Sequence, residues 1–203
     1  MEILFTPQQL KDFETEIAEC FNSGQIKAPV HLYDGNENEM IEIFKEVQPE
    51  DWIFCSWRSH YQCLLKGVSA ELLKQEILEG KSITLCFPKY NIYSSAIVTG
   101  NIPIATGTAL DIKRKGGNNH VWCFVGDMTS ETGTFYENHK YAVNHDLPIT
   151  FIVEDNGKSV CTDTRKVWNI EELTYSKKGI EKVIYYKYET KYPHAGAGKR
   201  IQF

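Results

Sequence analysis

VWCFVGD (121–127), MTSETGTFYENHKYAVNHDLP (128–148) and ITFIVEDN (149–156) run on without a break. They read as an apolar run, a segment of helix length and a second apolar run. Short apolar runs on either side of a helical insert predict a βαβ unit with parallel strands. Such a crossover is right-handed, so the carboxyl ends of both strands meet at one edge of the sheet. Each run closes on oxygen-bearing residues, Asp127 after Gly126, and Asn156 after Glu154 and Asp155. Asp127 and Asn156 are therefore expected to be neighbours in space with a whole helix between them in sequence. That edge is where open α/β sheets bind ligands. One carboxylate and one amide oxygen make a poor cage for a bare cation. They suit Mg²⁺, which keeps waters and takes phosphate oxygens from a ligand. The helix is expected to start near Thr132 and Gly133, turning its free N–H groups to the same spot. The layout points to a Mg²⁺-diphosphate site.

The rest of the chain fits one three-layer α/β sandwich over residues 1–203, with 1–50 as a helical N-terminal extension packed on it. At 203 residues the chain is long enough for one well-buried domain and short for two. Thr6-Pro7 opens an amphipathic helix to about Phe21, with Leu10, Phe13, Ile17 and Phe21 at helical spacing. A second helix is expected from about Glu37 to Val47. WIFCSW (52–57) reads as a buried strand. Ser69 caps a helix to about Leu78 with Glu71 in its first turn, and another helix covers about 103–114. KRKGGNN (113–119) is a turn rather than a phosphate loop, because it precedes a strand. VIYYKYE (183–189) closes a mostly parallel sheet with helices on both faces. Its tyrosines, with Tyr192, are explained by alternation in a half-buried strand. His139 and His145, on the helix after Asp127, read as structural or solvated.

Composition excludes several classes of function. Net charge is −5 with both signs interspersed, so no basic footprint for nucleic acid exists. Hydrophobic residues make up 42% and charged residues 24%, ordinary values for a globular protein. The six cysteines form no CxxC pair, which argues against zinc. Cys55, Cys86 and Cys123 lie in apolar runs and are expected to be buried. No apolar run reaches membrane-spanning length, and the N-terminus lacks a basic-then-apolar leader. A reduced, cytoplasmic setting is expected.

Five blocks then follow in a recognisable order: HLYDGNE (31–37), QPEDWIFCSWRSHYQCLLKGVS (48–69), AIVTGNIPIATGTAL (96–110), GDMTSETGTFYE (126–137) and LPITFIVEDNGKSVCT (147–162). Together they resemble the alpha subunit of the thiamine diphosphate-dependent component of 2-oxo acid dehydrogenase complexes, as in pyruvate or acetoin dehydrogenase. The 126–156 region resembles the GDG…NN signature of thiamine diphosphate enzymes. The resemblance implies a thiamine diphosphate-binding fold of the diphosphate-binding type, with thiamine diphosphate and Mg²⁺ as cofactors. Asp127, Asn156 and the carbonyl of Lys158 would hold the metal. Trp57, Arg58, Ile97, Val98, Gly126, Met128 and Thr129 would join Asp127 and Asn156 in binding the cofactor. Arg58 would grip the diphosphate with its planar fork, and Ile97 and Val98 would support the cofactor between its rings. His60 would stand near the reacting centre on the same side as Arg58, and His194, in KYPHAG, would sit in a loop over the site.

The same resemblance implies a small 2-oxo acid substrate and a beta-type subunit that supplies the glutamate activating the pyrimidine ring. A homodimer or an α₂β₂ heterotetramer follows, with a lipoyl acyltransferase core as a further partner. No nucleic acid or membrane is involved. Three departures stand out. Met128 replaces the third residue of GDG, so a side chain must point away from the phosphate. Asp155 replaces the first Asn of NN and adds negative charge there. KSITLCFP (81–88) shortens a glycine-rich substrate segment. A small two-subunit decarboxylase or carboligase, of the sulfopyruvate, phosphonopyruvate or transketolase-like type, is the alternative, as is a homologue without turnover.

Overall fold

The computed structural model describes residues 5–198. A six-stranded sheet in the order β2-β3-β1-β4-β5-β8 forms the middle layer. β1 is Trp52–Cys55, β2 Cys86–Phe87, β3 Ile92–Ser94, β4 Val121–Gly126, β5 Ile149–Asp155 and β8 Val183–Lys187. Strands β3, β1, β4, β5 and β8 run parallel, and β2 pairs antiparallel on the edge. A separate two-stranded hairpin, β6 (Lys158–Ser159) with β7 (Thr162–Asp163), follows β5.

The apolar runs are continuous because both faces of the sheet are covered. Along β4, Trp122 and Phe124 enter one core, and Val121, Cys123 and Val125 the other. The first core lies under α1 (Pro7–Asn22), α2 (Glu37–Glu46), α3 (His60–Leu65) and α4 (Ala70–Leu78); the second lies under α5 (Asn101–Lys115) and α7 (Gly133–Asn144). The result is the three-layer sandwich expected from sequence.

Local chemistry explains the helix boundaries. Thr6 and Gln9 close α1 with a reciprocal capping box and Pro7 at the first helical position. Ser69 accepts from the Leu72 amide to start α4, and Gly116, in the left-handed conformation, ends α5. Residues 7–46 supply Leu10, Ile17, Met40 and Phe44 to the same core as Ile53 and Phe124, so these helices share the core of the sheet.

Two expectations change. A separate helical turn, α6 (Asp127–Ser130), intervenes between β4 and α7. Thr132 then caps α7 by accepting from the Phe135 amide. Thr132 and Gly133 border a separate depression with Tyr136, Thr174 and Tyr175, and are not among the residues that line the cavity at Asp127. Cys86 is exposed, because β2 is the outermost strand and one of its two residues faces outward.

Candidate functional site at the carboxyl edge of the sheet

β4 and β5 pair in register from Val121↔Ile149 to Gly126↔Glu154, which puts their carboxyl ends side by side. A cavity of about 510 Å³ opens there. Its wall combines Ser56, Trp57 and Arg58 after β1, Gly126 to Thr129 after β4, and Glu154 and Asn156 from the end of β5. The β6–β7 hairpin adds Lys158 to Cys161, and the segment after β8 adds Tyr188 to Thr190 and Tyr192 to His194. Eight of the expected site residues therefore meet on one surface: Trp57, Arg58, Gly126, Asp127, Met128, Thr129, Asn156 and Lys158, and His194 lines the same cavity.

Asp127 is 1% exposed, and its Oδ2 has no hydrogen-bond partner. The unpaired Thr164 hydroxyl lies beside it without completing a hydrogen bond. Burial, reinforced by the charge of Asp155, pushes the Asp127 carboxyl up to about 6, against the pull of Thr164 and Arg165. A buried carboxylate oxygen without a donor is costly, and a cation is one group that satisfies it. Asn156 Oδ1 accepts from the Lys158 amide at 3.1 Å, which holds the side chain at the cavity. Met128 is half-buried and forms part of the cavity wall, at the position where the GDG pattern has glycine.

Arg58 is half-buried. Its Nε donates to the Leu32 carbonyl at 3.0 Å, and its guanidinium lies 5.6 Å from the Tyr33 ring centroid. Among the described residues no carboxylate forms an ion pair with it, leaving a charged fork on the cavity wall. His194 packs edge-on against His31 and Trp57, and its carbonyl meets His31 Nδ1. Burial, with the Arg58 charge adding to it, lowers the His194 pKa, so the ring is neutral near pH 7.

Sequence reading passed over Glu154, which sits under the cavity as the hub of a buried network. The Tyr33 hydroxyl lies 3.1 Å from both of its oxygens, Asn36 Nδ2 donates at 3.3 Å, and the Tyr186 hydroxyl also donates to it. Burial pushes its carboxyl up to about 7, although the bonds from Tyr186 and Tyr33 and the nearby Arg58 charge oppose the shift. The signal lay in the tyrosines of 183–189, since Tyr186 is the register partner of Glu154. Alternation does place Tyr185 and Tyr186 on opposite faces, yet each ends on a carboxylate.

Four expected positions lie elsewhere. His60 is fully buried and does not line the cavity: Nδ1 bonds Glu14 Oε2 and Nε2 bonds Ser82 Oγ, both at 2.9 Å. The same-side argument needs an extended chain, and α3 begins at His60, which breaks the alternation. Ile97 and Val98 lie in the turn before α5, 74% and 46% exposed, and do not border the cavity. Asp155 adds no free charge to the cavity. Its carboxylate faces away from Glu154, taking Arg165 Nη1 and Nη2 at 3.2 and 2.7 Å and the Tyr185 hydroxyl at 2.6 Å. Burial works against its charge, but Arg165 and Tyr185 outweigh it and hold the carboxyl below the usual range. His139 stacks on Phe135 and bonds the Glu181 carbonyl, a structural placement.

The fold is thus an α/β sandwich whose strand-edge cavity gathers a carboxylate oxygen without a partner, an amide oxygen and an arginine that, among the described residues, has no carboxylate partner. The chain belongs to the dehydrogenase E1 component family, whose profile matches residues 6–184. It is 31% identical over 165 residues to the alpha subunit of acetoin:2,6-dichlorophenolindophenol oxidoreductase from Bacillus subtilis (strain 168), covering 76% of this chain and 49% of that one. To the alpha subunit of the pyruvate dehydrogenase E1 component it is 29% identical in Porphyra purpurea, over 72% of this chain and 47% of the relative. In Rickettsia bellii (strain RML369-C) the identity is also 29%, over 81% and 53%. The chain thus spans about half the length of the curated relatives it matches. Among the described residues no helix is long and apolar enough to cross a membrane.

Proposed function

We propose that this chain is the alpha-type part of a thiamine diphosphate-dependent dehydrogenase acting on a small 2-oxo acid or on acetoin, the compounds named for its relatives. The observation that carries the reading is the orphaned Oδ2 of Asp127 in one cavity with Asn156 and Arg58. These residues fit the cofactor's charged end. Asp127, Asn156 and the Lys158 carbonyl would hold Mg²⁺ with hard oxygen donors, the remaining positions going to water and diphosphate. Among the described residues no three His, Cys, Asp or Glu side chains gather into a metal-binding group. The metal would therefore arrive with its phosphates. Arg58 would take the outer charge of the diphosphate in a bidentate grip.

When bound, the cofactor supplies a thiazolium carbon that adds to a carbonyl and accepts the electron pair released there. The neutral imidazole of His194 would accept or return a proton in the cavity. Glu154 is committed to Tyr33, Asn36 and Tyr186, so the glutamate that activates the pyrimidine ring would come from a beta-type subunit. Ile97, Val98 and Ile104, exposed on the turn before α5 and on its first turn, offer an apolar surface for that partner. An α₂β₂ assembly with Ile97 and Val98 against the cofactor, and docking on a lipoyl acyltransferase core, complete the proposal. The family match over residues 6–184 favours this over a small two-subunit decarboxylase.

Calorimetry with the beta-type partner tests the reading. Thiamine diphosphate should bind with Mg²⁺ and lose most of its affinity with a chelator, and thiamine without phosphates should bind weakly under both conditions. Metal-independent binding would remove Asp127 and Asn156 from the proposal. Turnover by the chain alone would remove the partner's glutamate.

A further inference from the structure

Arg58 is the charge the cavity offers to an anion, and nearly everything that fixes it comes from two residues of the HLYDG block. Its carbonyl lies 3.1 Å from the Tyr33 hydroxyl, and its Nε donates to the Leu32 carbonyl at 3.0 Å. The face of its guanidinium lies 5.6 Å from the Tyr33 ring centroid. Backbone, Nε and one flat face are thus held, and among the described residues no hydrogen bond takes the terminal amino groups.

Tyr33 is itself over-determined. Gln62 Nε2 donates to its hydroxyl at 2.7 Å, and Glu154 receives the hydroxyl's proton as the alternative to Arg58. Its ring stacks on Tyr61 with centroids 4.8 Å apart. Its amide donates to Glu14 Oε1 at 3.0 Å, while Glu14 Oε2 takes His60 Nδ1 and Ser82 secures the other ring nitrogen. The bonds close a ring: Arg58 to Tyr33, Tyr33 to Glu14, Glu14 to His60, and His60 back to Arg58 along the chain. On its far side the block is wedged against residues 188–196. A Cβ at Gly35, where φ is +99°, would stand 2.0 Å from the Glu189 carbonyl oxygen, and the Gly196 amide donates to the Val30 carbonyl at 2.8 Å.

We infer that Tyr33 is the positioning residue of Arg58, backed by Glu14 and His60, so that the HLYDG block sets the affinity of the site for a diphosphate. The inference rests on the diphosphate reading above and deepens it. Tyr33 touches no ligand in this scheme. It acts by keeping the guanidinium pre-organised, so that ordering the side chain is not charged against binding. It also assigns His60 a place behind the site, through Glu14, instead of at the reacting centre.

The test is calorimetry of inorganic pyrophosphate with Mg²⁺ on the full chain, using Tyr33→Phe, Arg58→Ala and the double variant. Tyr33→Phe keeps the ring and removes the hydroxyl, so affinity should fall roughly three- to tenfold, the loss of about one hydrogen bond. In the Arg58→Ala background the same change should have almost no effect, since nothing remains to be positioned. A merely structural tyrosine would not give that coupling. Gln62→Met is the second variant. It removes the donor to Tyr33 together with an amide oxygen, Oε1, that has no partner in the fold. It should weaken pyrophosphate binding in the same direction, again only when Arg58 is present. Effects that multiply in the double variant, or lowered thermal stability at unchanged affinity, overturn the positioning role alone. Failure of the unaltered chain to bind pyrophosphate with Mg²⁺ overturns the diphosphate reading and this inference with it.

Discussion

Two buried aspartates flank the same sheet and are treated in opposite ways. Asp51, just before β1 at the amino edge, is 3% exposed and fully engaged. It receives the Gln48 amide at 2.9 Å, the His120 amide at 2.7 Å and the Trp122 indole N–H at 3.0 Å. Asp127, just after β4 at the carboxyl edge, is 1% exposed, and one of its oxygens has no partner. Folding alone accounts for the first, because three donors compensate the loss of hydration. It does not account for the second, whose carboxyl is pushed up to about 6 by burial and whose Oδ2 is left without a donor. The amino edge is scaffold, and the carboxyl edge holds the unsatisfied chemistry.

The largest expected effect comes from exchanging the two losses. Asp51→Ala leaves three donors without an acceptor and should cost about 3 kcal/mol or more of unfolding free energy. Its binding of Mg²⁺-thiamine diphosphate per folded molecule should be unchanged. Asp127→Ala should do the reverse: affinity falls by roughly a hundredfold, while the ligand-free chain loses no stability. Denaturant titrations paired with calorimetry read both quantities. Equal stability losses for the two variants would make Asp127 a second scaffold aspartate.

A smaller effect separates the edges by pH. Glu154 has its carboxyl raised from 4.5 to about 7 and Asp127 from 3.8 to about 6, burial leading in both. A raised folded-state pKa on an acid means the native state binds more protons than the unfolded chain between the two values. Stability therefore falls as pH rises. The contribution of Glu154 is fully present below about pH 4.5 and is lost by about pH 7. The ligand-free chain should lose on the order of 2–3 kcal/mol across that window. Glu154→Gln should remove the Glu154 part of the slope and leave the part that Asp127 carries below about pH 6. Thermal melts at fixed ionic strength from pH 5 to pH 8 check this, and a flat profile in the unaltered chain would return Glu154 to an ordinary hydrated carboxylate.

Much of this architecture was legible in the chain. The apolar runs 121–126 and 149–155, the capping box at Thr6 and the Ser69 cap carry their own structural instructions, because strand alternation and helix capping act over a few residues. Asp127 and Asn156 came together from the crossover rule alone. Local rules misplaced His60, because a helix starting one residue after Ser59 rotates it into the core. They also missed α6, a single turn too short to show periodicity. The Tyr33–Glu154–Tyr186 hub was illegible for a different reason. Its members lie on separate strands and loops far apart in sequence, and only the folded sheet brings them together.

Glu154 and Asp155 repeat the contrast of the two edges within one dipeptide. Strand alternation sends the first toward the cavity and the second to the opposite side, where Arg165 neutralises it. Asp155 stands where the NN pattern has its first asparagine, so on proximity alone Asp155→Asn should relieve repulsion and improve diphosphate binding. The geometry says otherwise. The Asp155 carboxylate is buried, with the half-exposed Arg165 guanidinium 2.7 Å away, and the negative charge is already spent on that pair. In Asp155→Asn, the amide oxygen can still accept from the Tyr185 hydroxyl or from the Gly157 amide but not from both, so the ionic part of the pair and one hydrogen bond are lost. A cost of about 1–2 kcal/mol of stability follows, a partly solvent-screened ion pair plus one hydrogen bond. Affinity for Mg²⁺-thiamine diphosphate should stay within about twofold of the unaltered chain, less than half a kcal/mol. Calorimetry on the two proteins side by side decides it. A tenfold gain in affinity would show that Asp155 faces the bound diphosphate after all, and that the two acids share one side of the edge.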